Sequence, residues 1–322
     1  MASKKGVKIV GAIDSEKAKI GQDLATILGL NRHLDVEVSS DAESVFSEAE
    51  ADVSIHSTTS FLRDTYPQIA LAIEYGLDLV STCEELSYPY LTEPELAESI
   101  RTLAEKKKVT VLGTGINPGF LMDTIVIALT AACQRIERIN VDRIVNAATR
   151  RLPFQKKIGA GLRKEEFKQK IENKHITGHI GLSQSIAMIA DALKWDMDRI
   201  VIEDVKPVIA NELIQSDSVK IEVGEVSGLT QKAKGILRGR EIITLNFEAY
   251  LGAKEEYDAI TIEGVPGIKQ KIQPCIHGDM GTVAVVVNAI PKVINARPGL
   301  FTMKDLPLPS AALEDMRKYL SS

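Results

Sequence analysis

Three cysteines in 322 residues, Cys83, Cys133 and Cys275, are too few, too far apart and odd in number for a disulfide framework or a paired-cysteine metal site. Such usage fits a reducing compartment, so the chain is expected to be cytoplasmic and to hold no metal. Basic charge is not in excess either: 39 Lys and Arg against 44 Asp and Glu leave a net charge of −5. That balance lacks the electropositive footprint of phosphate-backbone binding and argues against a nucleic-acid partner. No apolar run reaches the roughly 18 residues of a membrane span. The start, Met-Ala-Ser-Lys-Lys-Gly, leads into an apolar stretch only one strand long, not a signal h-region. Internal repeats, low-complexity segments and the hydrolase signature G-x-S-x-G are missing as well. What remains, 44% apolar and 26% charged residues, is the composition of a globular chain long enough for about two domains.

One further absence is local. Val7 to Asp14 is an apolar strand ending in an acid. In a dinucleotide-binding fold that pattern marks the second strand, whose terminal carboxylate accepts the adenosine ribose hydroxyls about 20 residues after a G-x-G-x-x-G turn. No such turn precedes it here, so the sheet is expected to lack its first strand, phosphate-binding turn and first helix. Either neighbouring strands close up or another segment substitutes.

The rest of the first third alternates short β-rich runs with helical ones, as βαβ units do. Strands are read at Ala51–His56, Leu77–Ser81 and Val109–Leu112. Helices are read at Asp41–Glu50, at Tyr66–Tyr75 stopped by Gly76, and at Glu93–Lys107. Ligands on such parallel sheets bind beyond the carboxyl ends of the strands. Asp14, Ser57 to Ser60, Cys83 to Tyr88 and Gly113 to Gly119 should therefore converge on one crevice. Asp14, Thr58, Thr59, Ser60, Cys83 and Gly115 are its candidate cofactor contacts.

From about Ile139 the rhythm changes. Arg138–Val145 reads as a strand, and Lys164–Glu172 and Leu182–Leu193 read as helices. Ile200–Ala210, Val219–Val226, Ile242–Tyr250 and Ala259–Glu263 read as β-rich. Thr282–Ile290 fits a helix or a strand, with helix preferred. The fold class is thus α/β, a Rossmann-like doubly wound parallel sheet, followed by an α+β domain with a mainly antiparallel sheet. The boundary is set at 118/119: residues 1–118 form an N-terminally incomplete dinucleotide-binding domain. Residues 119–322 form a substrate-binding and oligomerisation domain whose C-terminal segment can return to the first.

Gly113-Thr-Gly-Ile-Asn-Pro-Gly119 follows a strand and opens an apolar helix, with spacing close to the phosphate-binding fingerprint and Asp142 at a tolerable distance for the ribose acid. Against that role, Pro118 removes a backbone N–H where the ligand would sit. Asn117 as N-cap with Pro118 at the first helical position makes a good helix start, which reads the motif as a strand-to-helix corner. A third reading has the corner line the reacting end of the crevice with the Asn117 amide. Glu84 and Glu85 follow a parallel strand, where adjacent carboxylates repel and one pKa rises; both also suit solvated loop acids, and Glu85 is the preferred base. His179 and His277 suit capping or core roles. Asn146 with Arg150 and Arg151 follows a strand end suited to a carboxylate clamp, though surface arginines are common.

Four ordered segments carry a family resemblance: Ser81-Thr-Cys-Glu-Glu-Leu-Ser-Tyr-Pro89, Gly113 to Asp123, Gly178-His-Ile-Gly-Leu-Ser-Gln-Ser185 and Asn288 to Gly299. Together they resemble the 2,4-diaminopentanoate dehydrogenase family, which is related to dihydrodipicolinate reductase and includes the native amine dehydrogenases. The resemblance implies NAD- or NADP-dependent oxidative deamination of a primary amine on a diamino acid, reversible as reductive amination. It implies that Glu84 or Glu85 is the acid/base, that Asn117, Asn146 and Arg151 line the substrate pocket, and that His179 lies near it. A homodimer is expected. Asp14 favours NAD, while Lys17 and Lys19 tolerate a 2'-phosphate. The rival readings are a reductase of a cyclic C=N substrate and a cofactor-incompetent oligomeric or ligand-binding protein.

Overall fold

The computed structural model describes residues 1–216 and 219–321. The chain divides into two compact units, Met1–Gly115 with Thr282–Ser322, and Ile116–Gly281.

The first unit holds two separate parallel arrays. Strands β1 (Ala12–Ile13) and β2 (Val38–Ser39) pair only with each other. Strands β3 (Val53–His56), β4 (Asp78–Ser81) and β5 (Thr110–Gly113) run parallel, and a strand at Gly299–Phe301 adds to the far side of β5. Among the described residues no strand joins the ribbon to the four-stranded sheet. This corrects the reading of Val7–Asp14 as one continuous strand: Ala12 and Ile13 alone pair in register with β2, and Asp14 N adds a bond to Ser39 O. The Gly299–Phe301 strand shows how the C-terminal segment completes this unit.

Crossover helices at Leu62–Glu74 and Pro94–Lys107 flank the sheet. Pro94 opens the second, where its missing N–H costs nothing, and Lys106 and Lys107 sit at its negative end. Leu62, Ile69, Ile73, Leu79, Leu86, Ile100 and Val111 are buried together; at roughly 1.5–3 kcal/mol per large apolar side chain, this cluster supplies the main drive for folding the unit.

The second unit is a seven-stranded sheet with helices. Its strands are β6 (Arg135–Asn146), β7 (Arg199–Ile202), β8 (Lys206–Ile209), β11 (Val226–Leu237), β12 (Arg240–Tyr250), β13 (Tyr257–Val265) and β14 (Ile268–Ile272). The two between them in sequence, β9 (Ile214–Gln215) and β10 (Lys220–Ile221), form a separate small ribbon. The order is β14-β13-β6-β12-β11-β7, with β8 also on β11. All pairings are antiparallel except β6 with β12. Three sequence readings change here. Ile200–Ala210 is two strands, Val219–Val226 is not one strand, and β11 and β14 are additional. In β6 the residues Ile139, Val141, Arg143 and Val145 are buried while their neighbours are not, the two-residue period that assigns one face to the core. The helix Leu182–Ala192 packs on β7, β11 and β12.

The helix Gly278–Ile294 settles the Thr282–Ile290 alternative as helix. Its buried Val286, Ile290 and Val293 fall at three- and four-residue spacing, which outweighs the β preference of valine. No helix among the described residues is long and apolar enough to cross a membrane.

Candidate active site

In the first unit the loops after β3, β4 and β5 are tied to one another. Glu85 N donates to Ser60 O at 3.2 Å, Thr82 Oγ1 donates to Ser57 Oγ at 3.0 Å, and Thr114 N donates to Ser81 O at 2.8 Å. The Cys83 thiol is buried and donates to Ser60 O at 3.3 Å, and burial pushes its pKa up. Its sulfur therefore pins two strand-tip loops together. Gly113 has no room for a side chain: a Cβ there would lie 2.3 Å from the Leu86 carbonyl carbon. The glycine serves the approach of the Glu84–Ser87 turn.

Thr58 Oγ1 donates to Gln68 Oε1, while Thr59 and Ser60 lie at the same loop with Thr59 exposed. His56 closes this region as a satisfied core histidine. Its Nδ1 faces Ser81 Oγ and its Nε2 faces Gln68 Oε1, both at 2.8 Å, and burial lowers its pKa.

The two glutamates separate clearly. Glu85 Oε2 accepts from Leu62 N at 2.7 Å, which caps the Leu62–Glu74 helix where Phe61 offers no side-chain cap. That remote cap explains why the helix starts a turn earlier than its local sequence suggests. Burial raises the Glu85 pKa, with the Leu62 N–H opposing. Glu84 is half-buried, and its carboxylate has no hydrogen-bond or ion-pair partner among the described residues. Asp14 follows β1, accepting from Lys19 Nζ at 2.7 Å and from Glu16 N at 2.9 Å. The Lys19 hydrogen bond holds its carboxyl below the usual range, so it stays ionised.

The second unit begins at Ile116, and there the Gly113–Gly119 segment continues into a loop, not a helix. The helix is Thr124–Thr130, and its N-cap is Asp123, which corrects the reading of Asn117 as N-cap and Pro118 as first helical residue. The reason is Asp123: its fully buried carboxylate accepts from Gly119 N, Thr124 N and Ser185 Oγ, so the loop is closed around it.

Asn117 is thereby freed for a different contact. Its Nδ2 donates to His179 Nε2 at 2.7 Å and to Met122 Sδ at 3.0 Å, while its Oδ1 is buried without a partner. His179 stacks on Phe247 with ring centroids 4.4 Å apart, and its backbone N donates to Gln231 Oε1 at 2.8 Å. Burial, then the charges of Arg143 and Lys157, depress its pKa to about 3. The ring is neutral, and with Nε2 accepting, the proton is on Nδ1. Gly181, at φ +106°, packs its α-carbon on Pro118, where a Cβ would lie 2.5 Å from the ring. The two motif segments therefore meet through that glycine.

Asn146 is committed to the scaffold. Its Oδ1 accepts from Ala148 N and its Nδ2 donates to Ala253 O. Arg151 is the opposite, with a side chain 70% exposed and only a 3.5 Å contact from Nε to Asp279. Two partners were missed from the sequence. Arg143 forms a buried ion pair with Asp258 and donates to Ile276 O at 2.8 Å. Asp279 bridges Arg150 and Arg151. Arg143 carries a signal in hindsight, a charge in the buried register of β6; Asp279 carries none.

A parallel α/β unit with a free carboxylate at its strand tips, and a second unit built on a mixed sheet, define a Rossmann-type dehydrogenase. Residues 120–322 match the family described as the 2,4-diaminopentanoate dehydrogenase C-terminal domain. Across its whole length the chain is 35% identical to the 2,4-diaminopentanoate dehydrogenase of Acetoanaerobium sticklandii, covering 92% of that protein. It is 21% identical to the amine dehydrogenase of Streptomyces virginiae, over 94% of this chain and 90% of that one. The solved structure of the amine dehydrogenase from Mycobacterium smegmatis matches with a TM-score of 0.84 and 26% identity, covering 96% of this chain and 92% of that one. The chain belongs to the 2,4-diaminopentanoate dehydrogenase family. It is an NAD(P)-dependent oxidoreductase of the amine dehydrogenase type.

The first unit fits that cofactor in part. An ionised Asp14 at a strand end suits ribose hydroxyls, and the Thr58–Ser60 loop offers hydroxyls at a neighbouring tip. At Gly113 the space beside the turn is filled by the Leu86 backbone, which leaves no room there for a pyrophosphate.

Proposed function

We propose that the protein oxidatively deaminates a primary amine of a diamino acid such as 2,4-diaminopentanoate, with Glu84 as acid/base. The net reaction converts the substrate ammonium, water and NAD(P)+ into a ketone, ammonium, NAD(P)H and a proton. The nicotinamide supplies the hydride acceptor when bound. The chain's own residues supply proton handling and orientation. Glu84 takes a proton from the substrate ammonium to expose the amine and releases it to solvent; it then takes one from the water that adds to the C=N carbon and returns it to the departing nitrogen. Glu85 is held by Leu62 N and positions the turn. Neutral His179, fixed by Asn117, presents Nδ1–H as a donor of fixed orientation. Arg151 receives the substrate carboxylate.

The observation that carries this reading is the contrast within one turn: Glu84 free, Glu85 capping. The test is amine-dependent absorbance from NADH or NADPH with parallel ammonia determination. Stoichiometric ammonia supports deamination; cofactor reduction without ammonia contradicts it.

We also infer a homodimer in the cytoplasm. Exposed Ile209 and Leu213 beside a cleft of about 420 Å³ lined by Ile144, Tyr250 and Tyr257 support a partner surface, and three unpaired thiols support a reducing compartment. Light scattering at the mass of one chain would contradict the dimer.

A further inference from the structure

Arg150 and Arg151 are adjacent, yet the fold treats them differently. Arg150 has a side chain only 6% exposed, lies over the Phe154 ring with its guanidinium carbon 4.4 Å from the centroid, and places Nη2 3.1 Å from Asp279 Oδ1. Its Nε is buried with no partner. A side chain at Gly278 would come within 3.0 Å of both Nη atoms, so the backbone itself closes over the guanidinium. Arg151 is solvent-facing and uses Nε toward Asp279 Oδ2. Asp279 lies in the first turn of the Gly278–Ile294 helix, where the macrodipole also favours a carboxylate. One carboxylate is thus divided between two guanidinium groups, one oxygen to each. The nearby Arg143 is already matched by Asp258.

We propose that Asp279 is a specificity-determining residue: it neutralises one of the two arginine charges from within. The paired Nη groups of Arg151 are then left to receive a single substrate carboxylate and to disfavour dianions. With two cations and one anion in place, the cluster has one uncompensated charge, which matches an amino acid bearing one carboxylate. The same cluster without Asp279 would have two, and would favour a dicarboxylate. This rests on the reading of Arg151 as the carboxylate receptor.

The experiment measures inhibition of diamine oxidation by pentanoate and by pentanedioate in the full-length enzyme. In the unaltered protein pentanedioate should bind no better than pentanoate. In Asp279→Asn the dicarboxylate should gain about tenfold relative to the monocarboxylate, and Asp279→Glu, which keeps the charge, should retain the original ratio. Should Asp279→Asn fail to fold because Arg150 is left buried without a counter-charge, a double variant carries the test. Arg150→Met with Asp279→Asn restores one net charge through Arg151 alone and should restore the original ratio. An unchanged ratio in Asp279→Asn, or a dicarboxylate preference in the double variant, overturns the proposal. The underlying reading fails separately: if a carboxylate-bearing diamine keeps in Arg151→Ala the full KM advantage over pentane-2,4-diamine that it has in the unaltered protein, Arg151 is not the receptor.

Discussion

Asn117 donates from Nδ2 to His179 Nε2 across 2.7 Å, a contact that puts the ring proton on Nδ1, while burial keeps the ring neutral. It joins two segments 62 residues apart, the corner after β5 and the start of the Leu182–Ala192 helix. The histidine is thereby a fixed neutral donor, not a proton shuttle.

The His179 environment gives a pH dependence of definite sign. Its folded pKa is depressed to about 3 from 6.5, so between those values the unfolded chain binds a proton that the folded chain does not. Stability from this group is fully present above pH 6.5 and is lost as pH falls toward 3, by up to about 1.4 kcal/mol per pH unit. Urea unfolding at pH 7 and pH 5 should show a smaller acid-side loss for His179→Gln than for the unaltered protein. Equal slopes would contradict the assignment.

Arg143 and Asp258 form an ion pair with side chains 3% and 6% exposed. Removing one partner strands a buried charge, so Asp258→Asn should cost about 3–5 kcal/mol, whereas Arg143→Met with Asp258→Leu should cost far less. A double-mutant cycle by urea unfolding measures this.

At Gly113 the obstacle is backbone rather than a side chain that can rotate away. Gly113→Ala should displace the Glu84–Ser87 turn, costing about 1–3 kcal/mol of stability, with a fall in kcat. Thermal melting and steady-state kinetics check it.

Thiol chemistry should distinguish the three cysteines. Burial raises the pKa of Cys83, and pushes that of Cys275 up to about 12, while Cys133 is partly exposed. A thiol-specific reagent at pH 8 should modify one cysteine rapidly, and peptide mapping should find it at Cys133.

The sequence made the first unit legible where apolar runs were bounded by turn residues, as at β3, β4 and β5. It failed where structure depends on remote partners. The early start of the Leu62–Glu74 helix needs the Glu85 carboxylate, 23 residues downstream. The Thr124–Thr130 helix starts late because Asp123 is claimed by Ser185, 62 residues away. Strand β11 was hidden by Gly228, Gly235 and the polar run Thr230-Gln-Lys232, which present no apolar alternation. Of the candidate residues, Glu84, Glu85, Asn117, His179 and Arg151 were legible by type and position. Their separation into free and committed groups was not, because it depends on which backbone N–H reaches which carboxylate.

The central claim concerns Glu84 and Glu85, and paired glutamine variants test it most directly. Glu84→Gln should lower kcat for amine oxidation by about 10²-fold or more with an unchanged melting temperature. Glu85→Gln should keep most of kcat while losing about 1 kcal/mol of stability with the cap weakened. The reverse pattern, with activity abolished by Glu85→Gln and retained by Glu84→Gln, would contradict the account.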